Sequence, residues 1–270
     1  MKEITVAVVQ MDPRLAEVSE NLVQMSDFVA KICSEQQVDL VVFPELVTTG
    51  YECGMRFTEL AERVPGPAVN LLAQRAGEFN THIAFGMAAK ERVESILYNA
   101  AMLIGPDGDL IGQYHKVHLR GEERLAFRPG YRYPVLEAEF GQVGFLVSWD
   151  LAFPEVARGL ALDGAELLIV CANWAQPDVE EWRTYVLARA FENSVFVAAA
   201  NRVGEEYTYS FLGESMIVGP RGELHASVEE GIEGYGVARI DLDNVRKYRE
   251  EFQLLQYRQP QTYRAIARRY

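Results

Sequence analysis

Cysteine and histidine are scarce in this chain of 270 residues: there are three cysteines, Cys33, Cys53 and Cys171, and four histidines. The cysteines are odd in number and form no C-x-x-C pair, so neither a disulfide framework nor a thiolate zinc site is expected, and a reducing cytoplasm suits such usage. Positive charge is scarce as well. With 26 Lys and Arg against 39 Asp and Glu, a net charge of -13, the chain lacks the clustered cations that neutralise phosphates, and no nucleic acid or membrane partner is expected. The one basic cluster, Arg264, Arg268 and Arg269, reads as part of a solvated tail. Long apolar runs are missing too: the first, residues 4–9, ends at Gln10 and Met11-Asp12-Pro13, too soon for a signal peptide or a membrane span. No linker rich in Pro, Gly or Ser interrupts the chain, and no repeat or low-complexity segment is found. One domain over residues 1–250 is therefore expected, with residues 251–270, rich in Tyr, Gln and Arg, as a C-terminal tail.

What is present is an alternation of short β-branched runs and helical patterns. Residues 4–10 read as a strand and residues 39–43 as another. Between them, residues 19–36 place Leu22, Val23, Met25, Phe28, Val29 and Ile32 at helical spacing behind a possible N-cap at Ser19. The pattern continues with a helix over 68–79, a buried strand over 83–87 and strands over 96–104 and 110–116. Gly105-Pro106-Asp107-Gly108 between the last two predicts a hairpin. The second half predicts strands over 142–147, 166–171 and 195–200, with helices over 154–163 and 179–193. Strands over 215–218 and 223–227 follow, around Gly219-Pro220-Arg221-Gly222, then a last strand over 236–241 and a short helix over 242–250. Continuous apolar strands such as 167–170 imply sheets covered on both faces. The preferred reading is an α/β fold of two mixed sheets packed together with helices outside, although periodicity alone leaves a doubly wound sheet open.

Three polar residues stand directly after apolar runs, where sites of α/β proteins collect. Glu45 ends V-V-F-P-E, Lys116 ends L-I-G-Q-Y-H-K and Ser148 ends V-G-F-L-V-S. They offer a base, a cation and a nucleophile position. His115 and His118 flank Lys116, but their three-residue offset along an extended chain sends the rings to opposite faces, so structural roles are expected rather than metal binding.

The segment V-S-W-D-L-A-F-P-E, from Val147 to Glu155, resembles the nucleophile motif of the nitrilase superfamily of carbon-nitrogen hydrolases, C-[YW]-D-x-x-F-P-E, with serine in place of cysteine. F-P-E-L at residues 43–46 is similar to that family's glutamate segment, and K-V-H-L at 116–119 to its lysine segment. Arg158, Asn173-Trp174, Arg189, Glu192-Asn193, Asn201-Arg202 and the Phe211, Gly213, Ser215 pattern extend the likeness over roughly residues 4–241. The resemblance implies a four-layer α-β-β-α sandwich, Glu45 as general base, Lys116 at the oxyanion, position 148 as nucleophile, and Glu123 or its neighbour Glu122 as a second site glutamate. Tyr51, Trp149, Asn173 and Trp174 become candidates for substrate contact, and Arg158 for a structural ion pair. No metal or organic cofactor is implied. The partner implied is a small-molecule amide, with pairing into a homodimer or larger assembly and the tail as a candidate for crossing between subunits.

Serine at position 148 carries its own consequence. A hydroxyl is far less acidic than a thiol and needs a stronger base than a carboxylate; no histidine relay and no G-x-S-x-G elbow surrounds it. Cys171 lies a full strand away and is no substitute. The expected reading is an amidase in a Cys-to-Ser inactivated form. A natural non-catalytic binding or scaffold protein and a natural serine amidase stand as alternatives, and an N-carbamoyl amidohydrolase or nitrilase as alternative activities. Specificity is expected in the loops 47–57, 120–133 and 175–181.

Overall fold

The computed structural model describes residues 2–92 and 96–268; Arg269 of the basic cluster lies outside them. The first half runs β1 (Glu3–Gln10), α1 (Val18–Glu35), β2 (Leu40–Val42), α2 (Phe57–Leu60), β3 (Glu62–Arg63), α3 (Pro67–Phe79), β4 (His82–Lys90), β5 (Leu97–Ile104) and β6 (Leu110–His115). The second runs α4 (Glu123–Ala126), β7 (Val135–Ala138), β8 (Gly141–Val147), α5 (Pro154–Leu162), β9 (Leu167–Ala172), α6 (Val179–Asn193) and β10 (Phe196–Asn201). It closes with β11 (Val203–Glu205), β12 (Ser210–Leu212), β13 (Met216–Val218), β14 (Leu224–Ser227), β15 (Gly234–Asp241) and α7 (Asp243–Phe252).

Two mixed sheets result. The first has the order β15-β1-β2-β4-β5-β6, with β3 on β4, and the second β14-β13-β10-β9-β8-β7. Each has a parallel centre, β1-β2-β4 in one and β8-β9-β10 in the other, flanked by antiparallel strands. Short helical crossovers force the parallel centres, and the predicted glycine-proline turns force the hairpins β5-β6 and β13-β14.

The strand alternation explains the layering. Val6 and Val8 of β1 join Phe145, Val147, Ile169 and Phe196 in a core between the sheets. Ala7 and Val9, pointing the other way, pack against Met25, Val29 and Ile32 of α1 and Leu72 of α3. On the far side Leu146, Leu168 and Val170 meet Val156 and Leu160 of α5 and Trp182 and Val186 of α6. The architecture is the four-layer α-β-β-α sandwich. Each large aliphatic side chain so buried stabilises the fold by roughly 1.5–3 kcal/mol, and one apolar face more than a single sheet requires is why these strands read as unbroken hydrophobic runs.

Two local expectations change. Ser19 does not cap α1: the helix begins at Val18 and no side chain caps it. Asn21 anchors the entering chain instead, accepting the Arg14 N–H at 2.7 Å and donating to the carbonyls of Arg14 and Thr48 at 2.8 and 3.1 Å. Arg158 forms no ion pair among the described residues, and its Nη1 is buried without a partner. The tail is largely exposed, Arg264 and Arg268 included, and Tyr263 and Ile266 border a cleft with Pro154 and Arg158 of α5. No helix among the described residues is long and apolar enough to cross a membrane.

Candidate active site

Glu45 sits just past the C-terminal end of β2, and the neighbouring strand makes room for it. A Cβ on Gly86 of β4 would lie 2.6 Å from Glu45 Cα and 2.7 Å from the Leu46 nitrogen, so only glycine permits this approach. Glu45 is fully buried. Its Oε1 accepts from Lys116 Nζ at 2.8 Å and from Asn99 Nδ2 at 2.6 Å, and its Oε2 accepts the Ser148 hydroxyl.

Asn99, on β5, is a residue that sequence reasoning missed. It fixes both partners of the pair, since its carbonyl also accepts the Lys116 N–H at 2.8 Å while its side chain holds Glu45. The available signal was a lone polar residue inside the strand L-Y-N-A-A-M-L-I.

Lys116 follows β6 and lies between two carboxylates, 2.8 Å from Glu45 and 2.6 Å from Glu123. Of the two glutamates left open, the turn of α4 buries Glu123 against Lys116 and leaves Glu122 exposed, and Glu123 Oε2 accepts the Arg120 N–H at 2.9 Å. Burial alone would push the Lys116 ammonium toward neutrality, but Glu123 and Glu45 outweigh it and hold its pKa above the ordinary lysine value. Burial raises the Glu123 pKa, opposed by Lys116 and reinforced by the Glu45 charge. Two of the three ammonium protons are engaged, leaving one donor.

Ser148 begins a turn of 3-10 helix directly after β8, at φ +37°, a conformation that costs a non-glycine residue roughly 1–3 kcal/mol and persists only where its surroundings enforce it. Asp150 does so. Its buried carboxylate accepts the Val147 N–H at 3.0 Å and the Tyr114 hydroxyl at 2.7 Å, together with the His118 N–H at 3.1 Å and a contact of 2.8 Å to His118 Nδ1. One side chain thus ties the turn of Ser148 to the segment that follows Lys116. Arg189 braces the same turn from α6, donating from Nε and Nη2 to the Leu151 carbonyl at 2.9 and 2.7 Å. The Ser148 Oγ also accepts the Asn173 N–H at 2.8 Å.

These groups open into a cavity of about 120 Å³. All of Tyr51, Trp149, Asn173 and Trp174 line it, as do Arg120, Asp178 and Tyr209. Burial, then the Glu123 and Glu45 charges, push the Tyr51 phenol far above its ordinary pKa, so it stays neutral. Tyr209, missed in the sequence, meets Tyr51 edge-on with centroids 5.4 Å apart. It rides on the hairpin β11-β12, which carries no clear turn signal. Arg120 lies 4.3 Å over the Trp149 ring and 3.6 Å from Asp178. Asn201 orients Trp174, accepting its N–H at 2.7 Å. The two histidines do lie apart: His115 stacks on Tyr98, His118 on Phe153. Among the described residues no group of three His, Cys, Asp or Glu side chains is arranged as metal ligands. Cys171, opposite Val147 on β9, is buried in the core between the sheets, and burial keeps its thiol protonated. The arrangement offers a hydroxyl poised on a buried carboxylate, a cation beside both and a small polar chamber.

Residues 5–250 match the carbon-nitrogen hydrolase family model. The chain is 40% identical over 265 residues to a protein described as a probable nitrilase from Schizosaccharomyces pombe, with 97% of each chain covered. It is 32% identical to a 2-oxoglutaramate amidase from Bacillus subtilis, over 88% of this chain and 90% of that one. Among solved structures, the amidase from Nesterenkonia sp. superposes with a TM-score of 0.81 at 29% identity, covering 93% of this chain and 95% of that one. A Cys-to-Ser mutant of the same amidase gives an equal TM-score of 0.81, at 29% identity and with 93% and 96% covered.

Proposed function

This chain belongs to the carbon-nitrogen hydrolase family, within the nitrilase superfamily, and from that premise we propose that it is an amidase acting on a small non-peptide amide, in a form that carries serine in place of the reactive cysteine. The observation that carries the reading is the Ser148 hydroxyl donating to the buried Glu45 carboxylate, which sits 2.8 Å from Lys116. That is the placement a nucleophile, its base and an oxyanion donor require.

With a thiol at position 148, Glu45 takes the proton as sulfur attacks the amide carbon. The carbonyl electron pair moves onto oxygen, where the remaining Lys116 proton and a backbone N–H beside position 148 receive the negative charge. One such donor typically contributes ~2.7–4 kcal/mol. Collapse of the intermediate expels the nitrogen, to which Glu45 returns the proton, leaving a thioester and free ammonia or amine. Water then loses a proton to Glu45 and attacks the thioester, and the carboxylic acid departs as the thiol is restored. Glu123 holds Lys116 and borders the space where the water must lie. With oxygen in place of sulfur, Glu45 is too weak a base to drive the first step, so the serine form binds amide and turns it over very slowly.

The test is Ser148→Cys assayed by ammonia release. The variant is expected to hydrolyse small primary amides while the serine form releases little. A variant inert toward amides, N-carbamoyl compounds and nitriles, in a protein that still binds an amide, would replace this reading with a ligand-binding protein. Subunit pairing and a cytoplasmic location belong to the same proposal. Sedimentation equilibrium should give at least twice the 30.4 kDa chain mass, and a monomer would refute the pairing.

A further inference from the structure

Two cations stand on the cavity wall, Lys116 and Arg120, and their circumstances are opposite. Lys116 is buried and held by Glu45 and Glu123 at 2.8 and 2.6 Å. The Arg120 side chain is 54% exposed, and its guanidinium donates no hydrogen bond among the described residues. Its ion-pair partner Asp178 lies 3.6 Å away, beyond hydrogen-bond reach, and so open a pair is worth little.

The guanidinium is nonetheless placed. Its carbon lies 4.3 Å over the ring of Trp149, the residue directly after Ser148. Trp149 and Asp178 both line the cavity, so the charged group itself, and not only its stem, borders the space into which Ser148 opens. The backbone N–H of Arg120 donates to Glu123 at 2.9 Å, which fixes the residue against the Glu45, Lys116 and Glu123 cluster.

An arginine offers five N–H donors and no acceptor, in a planar fork that matches a carboxylate. Donors left unengaged beside a chamber suit an anionic group on the ligand. The rest of the wall says which anion and where. Glu45 and Glu123 set two carboxylates against the single Lys116 charge, so a doubly charged phosphate is repelled more strongly than a singly charged carboxylate. The same repulsion keeps the charged end of a ligand away from the glutamates, at Arg120, and leaves the neutral amide for position 148.

Building on the amidase reading, we propose that Arg120 binds a carboxylate of the substrate, displacing the loose Asp178 contact, so that the substrate class is the small amides that carry a carboxylate. That group can belong to the acyl half, as in the monoamide of a dicarboxylic acid, or to the amine half, as in an N-acyl amino acid.

Calorimetric titration of the serine form near neutral pH tests this without turnover, in three pairs of closely similar shape that set a carboxylate against a carboxamide: succinamate and succinamide, glutaramate and glutaramide, N-acetylglycine and N-acetylglycinamide. The acid should bind about five- to thirtyfold tighter than its amide, between what an exposed ion pair and a charge-assisted hydrogen bond give, and the preference should shrink as salt is raised. Found in the first two pairs, it places the carboxylate on the acyl half; found in the third, on the amine half. In Arg120→Met the ratio should fall to within about twofold, and because it is read within one protein a general loss of affinity cancels. In Asp178→Asn, where nothing competes for the guanidinium, the ratio should widen, which a merely structural arginine would not produce. Equal binding within all three pairs by the unsubstituted protein overturns the inference and needs no variant. So does a preference that survives Arg120→Met. If none of the six compounds binds, the amidase reading itself fails, an outcome distinct from binding without preference.

Discussion

Replacing Lys116 by methionine removes the cation between two buried carboxylates while nearly preserving volume. At separations of 2.8 and 2.6 Å and an effective dielectric constant of about 20, each contact contributes roughly 6 kcal/mol of gross attraction. Most of it offsets the desolvation of the three ions. The net effect of deleting one member of such a cluster is therefore nearer 3–5 kcal/mol. The pH dependence separates this cause from simple loss of packing. In the unsubstituted protein the Lys116 pKa is raised above 10.5, so its stabilisation is fully present below that pH and is lost as pH rises through the folded value. In Lys116→Met the carboxylates have no counter-charge, and Glu123, raised by burial and held back by Lys116, moves further above the ordinary glutamate value. Groups shifted upward stabilise the fold below the unfolded pKa and lose that stabilisation as pH rises, at up to ~1.4 kcal/mol per pH unit per proton. Urea denaturation of both proteins at pH 5 and pH 8 should show the larger deficit at pH 8, with part of it recovered at pH 5. An equal deficit at both values would mean that Lys116 acts through its methylenes, and that the charge argument is wrong.

Other substitutions probe the scaffold of the site. Asp150→Asn keeps the shape but loses charge-assisted acceptance from Val147, Tyr114 and His118; a destabilisation of about 2–3 kcal/mol is expected by urea denaturation, with a lower kcat when combined with Ser148→Cys. Gly86→Ala places a methyl 2.6 Å from Glu45 Cα and should cost about 1–3 kcal/mol while weakening amide binding, because the base itself must move. Glu206→Gln leaves the fully buried Arg202 without one of its carboxylates; a loss of about 3 kcal/mol by urea denaturation is expected, together with weaker amide binding, since Glu206 also accepts the Tyr51 N–H at 2.9 Å.

The layers were legible because each strand of the two parallel centres had to be apolar on both faces, and the turns because Gly105-Pro106-Asp107-Gly108 and Gly219-Pro220-Arg221-Gly222 leave little other choice. The helix over 179–193 is where its pattern placed it, whereas α1 begins one residue before Ser19, since Asn21, not a cap, fixes the entering chain. Glu45, Lys116 and Ser148 could be singled out by standing at strand ends, and the structure brings them together. What the sequence does not display is pairing across the fold. Asn99 reads as an interruption of β5 until β6 lies beside it. Glu206 and Tyr209 sit in a hairpin whose reason is Arg202, buried beneath it and held by Asp12 from β1's end and by Glu206.

The geometry around position 148 also bears on what serine means there. The positive φ and the Asp150 contacts act on the backbone and do not depend on whether the side-chain atom is oxygen or sulfur, whereas the Asn173 N–H meets that atom directly. The Glu45, Lys116 and Glu123 cluster is likewise held by Asn99 and Arg120, which do not touch residue 148 at all. Apart from the Ser148–Glu45 contact, the cluster is held by groups that an exchange at position 148 leaves in place. The exchange should alter reactivity chiefly at the side-chain atom itself: a thiol titrates near 8.5 and is intrinsically the stronger nucleophile, while a hydroxyl gives a carboxylate base no proton it can readily remove. On the proposed amidase reading, the serine form keeps Glu45, Lys116 and the chamber and lacks the reactive thiol, so it should bind an amide and hold it.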